Sequence, residues 1–296
     1  MRRWRAGMAA CAAVTLVLTG CADRPTEVDG DLTNGWAALT EPTAFVPVAG
    51  VCHLRVREVA VSAYRIVDCA QQHRAETVHV GAFTGKTAKA PMPPVVGSAG
   101  FGTARAECER RANDLLGADW RTGRLALSVL VPQAEAWAGG ARWFRCDLSE
   151  VESLDNDKPV PRAGSLRGAL TAGSPLAYGC FNPKLIKDDI NFMDPISCDK
   201  PHHAEFAGLY LAPDTPLAAF VKDAAAAHRS CMRVIARYAG LPDNPELGFR
   251  VGSIFYHPDE QGWLAGNRGV QCFLWVDDRT LTRSMKGAGP SALPVT

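Results

Sequence analysis

The sequence predicts an α+β protein built from two tandem repeats, each a small antiparallel sheet in the order β-β-β-α-β-β with one helix, stabilised by disulfides. Three observations carry this. First, Cys52, Cys69, His73, Glu76, Cys108, Pro132, Trp137, Gly140, Arg142 and Cys146 recur as Cys180, Cys198, His202, Glu205, Cys231, Pro258, Trp263, Gly266, Arg268 and Cys272. The offset stays between 123 and 129, and holds at 126 from the proline to the last cysteine. An internal repeat settles the domain count before any residue is interpreted. Two modules of about a hundred residues match the commonest domain size. Second, each repeat places three short strand-like runs before one helical stretch and two such runs after it. Strands split by a single helix argue for an antiparallel sheet with the helix on one face. Third, the cysteines beyond the N-terminal segment divide four and four between the repeats.

Taken in order, residues 1–20 read as a lipoprotein signal peptide. Met1 to Arg5 carries three arginines, and an apolar run at 6–18 ends in Leu18-Thr19-Gly20-Cys21. A run of 13 residues falls short of the about 20 that cross a bilayer, so it belongs with cleavable export signals. Leu-Thr-Gly-Cys resembles the bacterial lipobox, whose cysteine is diacylated and becomes the first residue of the mature chain. Cys21 is then the expected lipidation site; an ordinary secretory signal with an incidental cysteine is the alternative. Two acyl chains attach a protein stably where one does so marginally. The expected location is the extracytoplasmic face of the cell membrane, with the membrane itself as a partner through the lipid.

Residues 21–44 are polar and broken by Pro25, Gly30, Asn34, Gly35 and Pro42, which suits a flexible tether. Module one covers 45–150. Valines and aromatics mark strands at 51–56, 62–67 and 76–83. After the prolines of 91–94, a helical pattern runs over 104–116 and Gly117 stops it. Strands at 125–131 and 142–148 complete the module. Residues 151–175, rich in Asp, Pro, Gly and Ser, read as a linker. Module two covers 176–280, with strands at 177–182, 191–197 and 205–211, a helix at 217–238, then strands at 249–255 and 269–276. Thr215 and Pro216 suit an N-cap and a first helical position, and Pro242 lies just past the far end. Residues 281–296 form a tail.

Cysteine usage agrees with export. Of ten cysteines, Cys11 lies in the signal and Cys21 is assigned to lipid, which leaves Cys52, Cys69, Cys108, Cys146, Cys180, Cys198, Cys231 and Cys272. Even counts in an exported chain read as disulfides. Zinc competes, but no Cys-x-x-Cys pair exists and the closest spacing in the modules is the 16 residues between Cys52 and Cys69. Four cysteines per module allow three connectivities, all open to the sequence. We favour Cys52 with Cys69 and Cys108 with Cys146, repeated as Cys180 with Cys198 and Cys231 with Cys272. Closing the shorter loop contributes about 3 kcal/mol in the chain-entropy model, which matters for modules that bury little apolar area. No cofactor and no metal are expected. Without the signal, 29 basic residues face 31 acidic ones, interspersed and without a basic stripe. That pattern argues against nucleic acid and against recognition of anionic lipid.

Two shared constellations could carry chemistry. Cys69-x3-His73-x2-Glu76 and Cys198-x3-His202-x2-Glu205 set a histidine and a carboxylate just ahead of a strand, a pair able to bind metal or shuttle a proton. We favour a structural role in which glutamate accepts from imidazole and pins the loop after the cysteine, since two groups are too few for a metal. His79 and His203 have no counterpart in the other repeat and supply no shared third ligand. The second constellation is Pro132-x4-Trp137-x2-Gly140-x-Arg142-x3-Cys146 and its match Pro258-x4-Trp263-x2-Gly266-x-Arg268-x3-Cys272. Trp and Arg together can form a binding hot spot or a sugar platform. The structural alternative, which we prefer, packs Trp over the adjoining disulfide, pairs Arg with a carboxylate, and uses proline and glycine to bracket a hairpin connection.

The strings Val67-Asp68-Cys69-Ala70-Gln71-Gln72-His73-Arg74-Ala75-Glu76-Thr77-Val78 and Ser197-Cys198-Asp199-Lys200-Pro201-His202-His203-Ala204-Glu205, with the later Trp, Gly and Cys of each repeat, resemble the actinobacterial septum formation domain family across both modules. Module one departs from the pattern by having Gln72 where proline is usual. The resemblance implies a role in the envelope or in cell division, with envelope or division proteins as partners, and brings no active site. The expected function is binding within that machinery rather than catalysis. An envelope hydrolase using His73 or His202 with its glutamate is one alternative. A carrier holding a small envelope ligand between the modules is the other.

Overall fold

The computed structural model describes residues 43–171, 173–187 and 189–295. The signal segment, Cys21 and nearly all of the expected tether lie outside the described residues. Module one contains β1 (Val51–His53), β2 (Ile66–Val67), β3 (Ala75–Ala82), α1 (Gly85–Ala88), α2 (Ala99–Leu116), β4 (Leu125–Leu130), α3 (Ala134–Ala138) and β5 (Trp143–Glu150). Module two contains β6 (Cys180–Ile186), β7 (Asp189–Ile196), β8 (Ala204–Leu211), α4 (Leu217–Lys222), α5 (Ala224–Ala239), β9 (Gly252–Tyr256), α6 (Glu260–Leu264) and β10 (Gly269–Trp275). The sheets run β2-β1-β3-β5-β4 and β7-β6-β8-β10-β9, antiparallel throughout. The order of three strands, a helix and two strands is therefore present twice. Even the irregularities repeat, because the centre pairing slips at Val78 in one sheet and at the equivalent Ala207 in the other. A bulge of this kind bends and twists the strand that carries it.

The main helix of each module lies on one face of its sheet. In α2 the buried positions Phe101, Ala104, Cys108, Ala112 and Leu116 recur at helical spacing. Ser98 caps its start and Gly117, at φ 83°, ends it in the left-handed region that glycine adopts freely. Cys108 joins Cys146 on β5, and Cys231 of α5 joins Cys272 on the equivalent strand β10. Cys52 joins Cys69, and Cys180 joins Cys198, closing the loops that follow the first strand. These are the pairings favoured from the sequence.

Three details differ from the sequence reading. The helix expected at 217–238 is two helices, α4 and α5, because Asp223 turns its side chain onto Ala226 N and caps a new start. An aspartate that competes for backbone N–H groups interrupts a helix in this way. The start at Leu217 is as expected, but Pro216, at ψ 142°, serves as the N-cap in place of Thr215. The tryptophan segments, expected as hairpin loops, are the short helices α3 and α6, followed by Gly140 and Gly266 at φ 95° and 94°.

The modules meet at the residues that lead into β4 and β6. Gly123 pairs with Ala177, and Arg121 donates to Asn267 while its carbonyl accepts from Gln271. Asp155, in the segment expected as a linker, accepts from Met193 N at 3.0 Å and from the Tyr256 hydroxyl at 2.7 Å. Burial first, and then that carboxylate, raise the Tyr256 pKa far above the usual phenol range. Among the described residues no helix is long and apolar enough to cross a membrane.

Candidate functional site

The His–Glu constellation of both repeats is an enclosed clamp. His73, Glu76, His202 and Glu205 are all buried. In module two, His202 Nε2 lies 2.9 Å from Glu205 Oε1, and its Nδ1 faces the Lys200 carbonyl at 2.7 Å. In module one His73 Nδ1 faces the Gln71 carbonyl at 2.9 Å, and its Nε2 has no hydrogen-bond partner among the described residues. The direct imidazole–carboxylate bond expected in both repeats is thus made in the second alone.

What Glu76 holds instead is the segment that follows its module. The Ser165 hydroxyl and Leu166 N donate to its two oxygens at 2.7 and 2.6 Å. In module two the Ser284 hydroxyl, Met285 N and the Tyr238 hydroxyl donate to Glu205 at 3.1, 2.9 and 2.7 Å. Burial, chiefly, keeps the Tyr238 hydroxyl protonated well above the usual phenol range. The segments assigned to linker and tail are therefore one repeated element. His73 and Arg162 pair by backbone, as do His202 and Leu281. Gly168 N and Gly287 N each donate at 2.8 Å to a carbonyl at the end of the main helix, those of Leu115 and Tyr238. Leu166 and Met285 enter the two cores. The signal was present in the sequence as Ser165-Leu166-Arg167-Gly168-Ala169 against Ser284-Met285-Lys286-Gly287-Ala288.

The Trp–Arg constellation is also internal. Trp137 and Trp263 are buried, and each indole donates at 2.8 Å to a backbone carbonyl, that of Ala90 or Thr215. Each shares a core cluster with its module's helix-to-sheet disulfide. The arginine guanidinium stacks on its tryptophan, at 4.2 Å for Arg142 and 4.6 Å for Arg268. Arg268 pairs with Asp214 as expected, at 2.7 Å. Among the described residues Arg142 pairs with no carboxylate; it donates instead to the carbonyl of Ala88 at the end of α1 and to that of Trp137 in α3. Tryptophans this enclosed cannot serve as a sugar platform.

Cys52, His73 and Glu76, and likewise Cys180, His202 and Glu205, place their ligand-type atoms within 4.8 Å of one another. Both cysteines are consumed by disulfides, which leaves two ligands where a zinc site needs three or four. His79 pairs with Glu107 at 3.1 Å and His203 faces the Val276 carbonyl, so neither joins a clamp.

The repeats part company on the sheet face turned away from the main helix. In module one that face holds a chain of buried polar groups. His53 Nε2 lies 3.0 Å from Thr77 Oγ1, which donates to Asp147 at 2.8 Å, and Asp147 accepts from Arg145 Nε and Nη2 at 3.0 and 2.8 Å. Arg145 and Asp147 are each 2 % exposed. Arg145 also donates to the Glu58 carbonyl at 2.8 Å, and His53 Nδ1 faces the Arg65 carbonyl at 3.1 Å. Burial above all lowers the His53 pKa, against the pull of Asp147 and with the push of Arg145. Alignment of the cysteines and glutamates sets Phe181, Phe206, Gln271 and Phe273 at the places of His53, Thr77, Arg145 and Asp147. Those phenylalanines pack edge to face, with ring centres 5.5 Å apart for Phe181 and Phe273 and 5.4 Å for Phe206 and Phe273. Reading the repeat for its matches alone hid this difference.

Fold and clamps together define a disulfide-bonded tandem-repeat protein whose most repeated residues serve its architecture. The family model described as septum formation matches residues 49–272, and the chain belongs to that family. No curated protein and no solved structure gives a significant match. Membership associates the chain with the cell envelope or cell division.

Proposed function

We propose that this is a lipid-anchored, extracytoplasmic protein that acts by binding, to protein or to an envelope ligand, in the service of septum formation. The observation that carries this reading is the enclosure of both His–Glu clamps. The side chains best suited to general acid–base work are buried, and a catalytic base must come within hydrogen-bond reach of its substrate. An envelope hydrolase built on His73 or His202 is disfavoured on the same ground. Attachment through Cys21 rests on the lipobox and the short apolar run before it. The test is crosslinking on intact cells followed by co-purification, with the Cys21→Ala variant beside the parent. A recurrent envelope or division partner, and mass spectrometry showing acylated Cys21, are expected. Loss of a measurable hydrolytic activity in His202→Ala at an unchanged melting temperature would overturn the binding reading.

A second reading, carriage of a small ligand between modules, is favoured by a groove of about 880 Å³ between the connecting segment and module two. Leu154, Pro175, Tyr178, Phe181, Met193 and Ile196 give it a mostly apolar wall. Burial pushes the Tyr178 hydroxyl up to about 12, so it stays a neutral donor there. Recovery of a lipid-like small molecule in organic extracts of the purified chain supports this reading. Empty extracts from protein taken directly from membranes count against it.

A further inference from the structure

We infer that module one carries a binding site for a small anionic group, a phosphate or a carboxylate, between β1 and the loop of residues 54–65. The inference rests on the binding reading above and names a site and a ligand chemistry for it.

The first argument is the contrast between repeats. One fold fills the same sheet face with phenylalanines in module two and with His53, Thr77, Asp147 and Arg145 in module one. Replacing a buried ion pair by apolar groups of similar volume is often neutral or stabilising. Stability alone therefore does not call for the charged version. What that version does is hold the loop: Arg145 grips the Glu58 carbonyl and His53 the Arg65 carbonyl. Immediately before the first grip Arg57 stands at φ 59°, a conformation costly for a residue with a side chain unless its surroundings impose it. Module two has no such loop, since β6 and β7 are joined by a tight turn at Lys187.

The second argument is what the loop encloses. A cavity of about 420 Å³ opens there, lined among others by His53, Arg55, Glu58, Ser62 and Arg65. That volume is within the usual range for small-molecule sites. Two guanidinium groups face one carboxylate. Arg55 is 81 % exposed and reaches Glu58 only at 3.8 Å, a pair worth little in water. Among the described residues no carboxylate lies within 4.0 Å of the Arg65 guanidinium. Two guanidinium forks on a loop whose backbone the buried chain grips at Glu58 and Arg65 suit carboxylate or phosphate oxygens, and the Ser62 hydroxyl lines the same cavity.

The test is a titration of the full chain in detergent with inorganic phosphate and, separately, acetate, against chloride at matched ionic strength. Calorimetry and the His53 imidazole proton resonances are the readouts. A saturable response to phosphate or to acetate is expected, and which anion saturates at lower concentration identifies the group. Arg55→Ala with Arg65→Ala should weaken it at least tenfold at an unchanged melting temperature. Exchange of His53→Phe, Thr77→Phe, Arg145→Gln and Asp147→Phe, which copies module two, should abolish the response. If that exchange fails to fold, the exposed arginines still decide the matter. A response linear in salt and equal for all three anions, or one that survives loss of both arginines, overturns the inference. Partners recovered by crosslinking in that event would leave the broader binding reading standing.

Discussion

Ser165 and Ser284 occupy one position of the repeat: each donates its hydroxyl to the glutamate of its own module, Ser165 to Glu76 at 2.7 Å and Ser284 to Glu205 at 3.1 Å. Each module is therefore closed by residues that follow its last strand, and the C-terminal segment belongs to the second core. Truncation after residue 280 removes buried Leu281, Met285 and Leu293. Each such side chain contributes about 1.5–3 kcal/mol. Their combined loss approaches the whole margin of a domain, which can be as low as about 5 kcal/mol. The truncated chain is expected to unfold in module two at room temperature, read as rapid proteolysis within residues 180–275. Resistance equal to the parent's would show that the segment is dispensable.

The two glutamates should differ in weight. Glu205 serves His202, Tyr238, Ser284 and Met285 N, whereas Glu76 serves Ser165 and Leu166 N. A buried donor left without an acceptor costs about 1–3 kcal/mol. The buried donors among these are His202 and Met285 N for Glu205 and Leu166 N for Glu76, so Glu205→Ala is expected to destabilise by about 2 kcal/mol and Glu76→Ala by about 1 kcal/mol at that rate, measured by urea unfolding of the full chain. Equal losses, or a larger loss at Glu76, would contradict the hydrogen-bond count.

Much of this was legible in the sequence, for identifiable reasons. The strand order follows from a duplication that fixes cysteine, proline and glycine positions relative to one another, while the disulfide pairing was a preference among three connectivities that the structure bears out. The closing segments were missed because Ser165 and Ser284 lie among Pro, Gly and Ser residues, whose composition reads as linker when their register with the earlier histidine is ignored. The module-one cavity was missed for the opposite reason. Comparing repeats for identity discards positions such as Asp147 and Phe273, where one copy keeps charge and the other keeps rings. Neither residue is unusual alone; the difference becomes visible when both are placed one step after a paired cysteine on the equivalent strands β5 and β10.

The disulfides should rank by the loop they close. Cys231 and Cys272 are separated by 41 residues, Cys180 and Cys198 by 18. The chain-entropy model assigns them about 4 and about 3 kcal/mol. Double alanine replacement of the first pair is expected to lower stability by about 1 kcal/mol more than replacement of the second. Chemical denaturation of the two variants checks the order. A greater loss from the shorter loop would mean that local packing, not chain entropy, sets their worth.

The charged face of module one should also make stability sensitive to acid. His53 Nδ1 faces a carbonyl, an acceptor only, and Nε2 faces Thr77 Oγ1, whose single proton goes to Asp147. Serving both contacts as donors requires an imidazolium, yet burial lowers the His53 pKa. The neutral ring keeps its bond to Arg65; Thr77 can then turn its proton to Nε2, because Asp147 retains two bonds from Arg145. A folded-state pKa below the unfolded value means that the unfolded chain binds more protons in the window between them. Stability is then complete above the ordinary imidazole value of about 6.5 and falls as pH drops through the folded pKa. His79, also lowered by burial, adds to the same limb. His53→Gln leaves Thr77 an amide partner that can accept or donate and removes the titration. It is expected to flatten the decline below about pH 6.5 relative to the parent, with denaturant midpoints measured at each pH. Identical slopes for parent and variant would show that the ring's protonation is not coupled to folding.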